Sequence, residues 1–212
     1  MFMELKKSSL ITCALSRKNI IILTVLIITA AFLNILFNTI IINFRIPLFL
    51  DTVFTAAIAF AFGVIPGILT ALLTWFLLGI YYGGFSFYIL CSIAEVLIIC
   101  ALKPPAPDIP NFAPKEKIAA SYTALVSKLF LLYVLCAVTV SVLGGVVDYI
   151  TNLFTERDYF SVEDIFKPGL FMSNMPAFAV NIIARLPINI VDRFIVIFGG
   201  YFISRGLLRI IF

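Results

Sequence analysis

Between Ile46 and Tyr82 the chain carries one charge, Asp51, and is broken midway by Gly63, Pro66 and Gly67. Such a run reads as two short lipid-phase helices joined by a tight turn. A carboxylate at the mouth of an apolar hairpin is unfavourable unless it is paired or wetted, so Asp51 is the first candidate for a working residue. The rest of the chain agrees with a lipid solvent. It is 63% hydrophobic and 12% charged, with a mean hydropathy of +1.16, whereas soluble domains are about 45–50% apolar. Residues 1–212 therefore read as a single transmembrane domain.

The same composition excludes several classes of function. With no histidine in the sequence, the commonest metal ligand and the usual general base at neutral pH are both missing. No paired-carboxylate signature replaces them, so the chain is expected not to be an enzyme, and neither a cofactor, a metal nor catalytic residues are expected. The net charge of +4 does not point to nucleic acid, because the basic residues gather at the ends of apolar runs instead of forming a stripe. Cys13, Cys91, Cys100 and Cys136 have no CxxC spacing and read as packing residues.

Six helices are predicted, at about 19–43, 50–63, 66–82, 86–102, 118–142 and 187–208. The first is too long for the apolar core of a signal peptide and is read as a retained span. An even number of crossings puts both termini on one face. Lys6, Lys7, Arg17, Lys18, Lys103, Lys115, Lys117, Arg205 and Arg209 then share that face, against Arg45, Arg157, Lys167 and Arg185 on the other. The bias predicts a multi-pass protein of the cell membrane with both termini cytoplasmic.

Within this bundle, Ala57 with Ala61, and Gly63 with Gly67 and Ala71, make small-xxx-small steps that favour close helix packing inside the chain. Pro104, Pro105, Pro107, Pro110 and Pro114 predict an extended connector between the fourth and fifth helices. The stretch 144–186 is too apolar for a disordered loop. It is expected to lie outside the cell as partly helical pieces, with short helices at 146–154 and 176–184, in the position of a lid.

Ionisable residues in or beside apolar runs each need a partner. Asp51 at the outer mouth of the second helix is expected to meet an arginine from Arg185, Asp192 and Arg193 at the start of the last helix, forming an outward polar pocket. Tyr82 and Tyr88 stand among the aromatics Tyr81, Phe85 and Phe87, which read first as an interfacial belt and second as pocket walls. Glu95 and Lys128 are placed at similar depth and are expected to form a structural ion pair.

The run IPLFLDTVFTAAIAFAFGVIPGILTALLTWF, residues 46–76, resembles the hairpin of the second and third helices in substrate-binding S components of energy-coupling factor transporters. RLPINIVDRFIVIFGGYFISRGL, residues 185–207, is similar to the last helix of that family. The resemblance implies an all-α, six-helix membrane subunit that captures a vitamin or related small nutrient from outside. It also implies partners, namely a transmembrane T component and two ATP-hydrolysing subunits, since this chain has no phosphate-binding loop of its own. Asp51, Arg185, Asp192, Arg193, Tyr82 and Tyr88 are then the substrate-binding candidates. The family's alanine patch for docking the T component is reduced here to Ala30 and Ala31, with Asn34 in the place of a further alanine. The alternative reading is a membrane-embedded ligand sensor that signals to a cytoplasmic partner.

Overall fold

The computed structural model describes residues 17–84, 86–104, 115–154 and 162–211. Lys6, Lys7, Cys13, Phe85, Arg157 and most of the proline-rich connector lie outside the described residues. The described residues are helical, with seven α-helices and one short 3-10 helix: α1 (Arg17–Asn43), α2 (Val53–Phe62), α3 (Val64–Tyr82), α4 (Ile89–Leu102), α5 (Lys115–Phe154), the 3-10 turn Val162–Ile165, α6 (Lys167–Met172) and α7 (Ala177–Ile211). Among them Asn19–Asn43, Val64–Tyr82 and Glu116–Phe154 are long and apolar enough to cross a membrane. They mark a membrane-embedded protein.

The ten residues of α2 are hydrophobic around the whole circumference, the mark of a helix surrounded by protein. Val53 and Thr55 through Ala61 are all buried, and α1, α3, α4 and α7 pack around them. At about 15 Å, α2 is too short to cross the bilayer by itself. It serves as the plug on which the bundle closes. The turn into α3 is made by Gly63, whose φ of 93° suits a residue without a side chain.

Small residues set how close the neighbours come. A Cβ on Gly67 would lie 2.8 Å from Val96 Cγ1 and 3.0 Å from Ala59 Cβ, and one on Gly200 would lie 2.9 Å from Ala56 Cβ. Ala57, Ala61 and Ala71 are buried as well, so these small steps serve packing within the chain. Phe60 meets Tyr201 edge to face at 5.6 Å between ring centres. Val96 and Ile99 of α4, Leu129, Leu132 and Cys136 of α5, and Val196 and Ile197 of α7 complete the core.

The last two long helices differ most from expectation. α5 runs on to Phe154 and α7 begins at Ala177, so the predicted short helices at 146–154 and 176–184 are continuations of the long ones. Gly144 and Gly145 do not end α5, because they lie where α7 comes close: a Cβ on Gly145 would fall 2.7 Å from Ile182 Cα. Pro187 sits inside α7 and does not end it. The α6 and 3-10 segments lie against α7. The residues between 154 and 162, which a lid would need, fall outside those described.

Candidate functional site

The approach to α2 is an irregular segment whose backbone is held by a side chain from the far end of the sequence. Asp192 Oδ1 accepts from the backbone N–H of Phe49 at 3.1 Å and of Leu50 at 2.8 Å. Leu50 has a φ of 42°, an uncommon conformation for a branched side chain, and these two bonds help to hold it. The other Asp192 oxygen receives two bonds from Arg193, from Nε at 2.9 Å and from Nη2.

Arg193 is the centre of the arrangement. Its Nη1 donates to Glu95 Oε2 at 2.5 Å and to Thr52 Oγ1 at 2.8 Å, and its Nη2 lies 3.8 Å from Asp51 Oδ1. Asp192, Arg193 and Glu95 are buried, and Asp51 lies at the edge of the buried class at 9% exposure. Three carboxylates from the α2 mouth, α4 and α7 thus surround one guanidinium. The Thr52 hydroxyl also interacts with the Glu95 carboxylate, whose Oε1 makes no hydrogen bond within the standard geometry.

A second cluster lies two turns earlier along α7. Arg185 Nε donates to Asp148 Oδ2 at 2.6 Å and its Nη2 donates to the Tyr88 hydroxyl at 2.7 Å, while that hydroxyl donates to Asp148 Oδ1. The guanidinium carbon stands 4.7 Å from the Tyr88 ring centre and 5.4 Å from that of Phe49, a favourable cation–π placement. Room for it comes from Gly144, where a Cβ would lie 2.9 Å from Arg185 Nη1. Cys91 feels both clusters, its thiol being in the field of Arg185, Arg193, Asp51 and Glu95.

The structure therefore brings Asp51, Arg185, Asp192, Arg193 and Tyr88 into two adjoining clusters. Tyr82 does not belong to them. It is 54% exposed at the end of α3, with its ring against Tyr81 and its hydroxyl 3.2 Å from Asn38 Oδ1 of α1. The predicted Glu95–Lys128 pair is also corrected, since Glu95 pairs with Arg193 and Lys128 is exposed. Leu129, Leu132 and Cys136 define the inward stripe of α5, and Lys128 is rotated about 100° from Leu129.

Sequence reasoning missed Asp148, Thr52 and Phe49 as members of these clusters. Asp148 falls in the stretch 144–186, which the sequence places outside the cell because the fifth helix is predicted to end at 142. An unbroken apolar pattern through Val146 and Val147 was the available signal, as it makes Asp148 a carboxylate inside a helix. Three-helix bonding by Asn34 was missed too: its Nδ2 donates to Thr55 Oγ1 at 2.9 Å and Thr74 Oγ1 at 3.2 Å, and its Oδ1 accepts from Phe54 N–H at 3.0 Å. Ala30 and Ala31 are buried beside it, which turns these alanines inward. Cys91, Cys100 and Cys136 are free thiols. Among the described residues no group of acidic or cysteine side chains converges to hold a metal ion. No family model, curated protein or solved structure matches the chain.

Proposed function

We propose that the chain is the membrane-embedded solute-binding subunit of an energy-coupling factor type transporter, a multi-pass protein with both termini in the cytoplasm. It captures a vitamin or related small nutrient from outside and carries no catalysis of its own. The observation that supports this reading is the joined pair of charged clusters at the mouth of α2. An interior built for stability alone would be better filled with apolar side chains, since desolvating several charges often outweighs their attraction. In a lipid-dissolved bundle such groups are by default functional. Aromatic rings of Phe49 and Tyr88 beside fixed polar groups match the usual make-up of small-molecule sites.

Uptake in this reading draws its energy from other chains, a T component and two ATP-hydrolysing subunits. The inward alanines of α1 leave docking of those partners to other faces of the bundle. The test is native mass spectrometry of the protein extracted gently from its own membrane. A retained small molecule together with ATPase subunits is the expected result. Co-purification with a kinase or cyclase instead would move the assignment to a ligand sensor, and a chain with neither solute nor partner would refute both.

A further inference from the structure

Past the level of the charged clusters the bundle continues, and its surface there stays apolar. α5 runs on beyond Asp148 to Phe154, α7 starts at Ala177 ahead of Arg185, and the 3-10 turn and α6 lie against α7. Phe154 is 84% exposed and Met172 88%, and Leu153, Ile165, Phe171 and Phe178 are exposed beside them. The described charges of this end are satisfied within the protein. Asp148 is held by Arg185, and the buried Lys167 has its Nζ 2.6 Å from Asp164 Oδ1. From Phe171 to Phe178 every residue is exposed and none is charged. A surface of this kind marks contact with a membrane or with another protein.

Continuity with the lipid-facing side of the bundle decides between them. On α5 the exposed side chains pass from Val138 and Val142 through Ile150 to Phe154, and on α7 from Val191 through Leu186 and Ile183 to Phe178. No exposed charge interrupts either series. The lengths agree as well. Lys128 on α5 and Arg205 on α7 are the first cations toward the opposite end that are not buried, and from them to Phe154 and Phe178 the helical rise gives about 40 Å on each helix. A hydrocarbon core is about 30 Å thick, and headgroups bring the bilayer to about 40–45 Å. With the two cations at one edge, the last turn of α5 and the first of α7 come to rest in the opposite headgroup layer.

We infer that the 3-10 turn, α6 and the adjoining ends of α5 and α7 form an interfacial anchor, with Phe154, Phe171 and Met172 seated at the boundary between phospholipid headgroups and acyl chains. Interfacial segments bury their apolar face about 5–10 Å into that boundary, which matches the reach of these side chains beyond the hydrocarbon core. Because the Lys167 ammonium is already paired, the anchor responds to apolar depth and not to lipid charge. A segment seated in this way is fixed to the bilayer and is not a lid standing in water. The inference stands on the membrane-embedded fold alone, and holds whether the chain captures a solute or senses one.

The experiment is tryptophan quenching in the full chain, reconstituted at low density in phosphatidylcholine vesicles. Trp75→Phe clears the single native tryptophan, and Met172→Trp or Phe154→Trp then places the reporter at a largely exposed position that leaves the core intact. Phe194→Trp, on the exposed face of α7 between Arg205 and Phe178, is the reference for the membrane interior. Lipids brominated near the headgroup are expected to quench positions 154 and 172 severalfold more than lipids brominated near the chain ends, with the order reversed at position 194. Mixing in anionic lipid should change neither result. Where the Trp75→Phe background folds poorly, the same quenching is read as the increment over the Trp75 signal. Full quenching by aqueous iodide at positions 154 and 172, with no effect of bromine, would overturn the anchor and leave the segment in water. Shielding from iodide without bromine quenching would overturn it too, because a second copy or another protein would then cover the face. Bromine quenching that requires anionic lipid would overturn the charge-independent contact.

Discussion

Replacing Arg193 by glutamine removes the one cation that three carboxylates share. The arginine is 3% exposed and donates to Glu95 at 2.5 Å, to Thr52 at 2.8 Å and, from Nε and Nη2, to Asp192 Oδ2. Truncating one partner of a buried ion pair destabilises by about 3–5 kcal/mol, because the remaining charge is left uncompensated. Here Glu95 and Asp192 both lose their cation, which puts the expected loss at the upper end of that range. Trp75 is a natural reporter. It is the single tryptophan of the chain, donates from Nε1 to Ser92 Oγ of α4 at 2.8 Å, and lies 6.1 Å from the Tyr88 ring. Its fluorescence during denaturant titration in micelles follows the α3–α4 contact next to the cluster. The double variant Arg193→Gln, Glu95→Gln should recover about 1–3 kcal/mol relative to the sum of the single losses, as expected for residues in one network. An Arg193→Gln protein within about 1 kcal/mol of wild type, or strict additivity in the double variant, would refute the account of Arg193 as the shared counter-charge.

Three other outcomes follow from the packing. Gly200→Val forces a side chain against Ala56 Cβ and the backbone of α2, and should lower stability by about 1–3 kcal/mol in the same titration. Asn34→Ala strands the Phe54 N–H and two threonine hydroxyls between α1, α2 and α3; the expected loss is about 2–3 kcal/mol, and a neutral result would show that water replaces the amide. Lys128→Ala changes an exposed side chain and should stay within about 0.5 kcal/mol of wild type, whereas a large loss would restore the predicted pairing with Glu95.

Much of the bundle was legible because apolar runs interrupted by Gly63, Pro66 and Gly67 leave few choices to the backbone. Convergence of Asp51 with Arg193 was legible for a similar reason, since isolated charges in lipid need each other. Helix ends in the last third were harder to read. Gly144, Gly145 and Pro187 look like breakers in one dimension, yet the two glycines sit at contacts between α5 and α7 that only the packed bundle contains, and Pro187 is carried inside α7. Partner choice for Glu95 failed through rotation, not depth. Position along the axis puts Lys128 level with Glu95, while the stripe of Leu129, Leu132 and Cys136 sets which face of α5 points inward.

Asp192 holds the amides of Phe49 and Leu50 with one oxygen and the guanidinium of Arg193 with the other. A single carboxylate therefore gears the approach to α2 onto the last helix, and neither can slide without dragging its companion. Because the Phe49 ring also rests on Arg185, a tilt of α7 would be carried into that short piece of chain at two points.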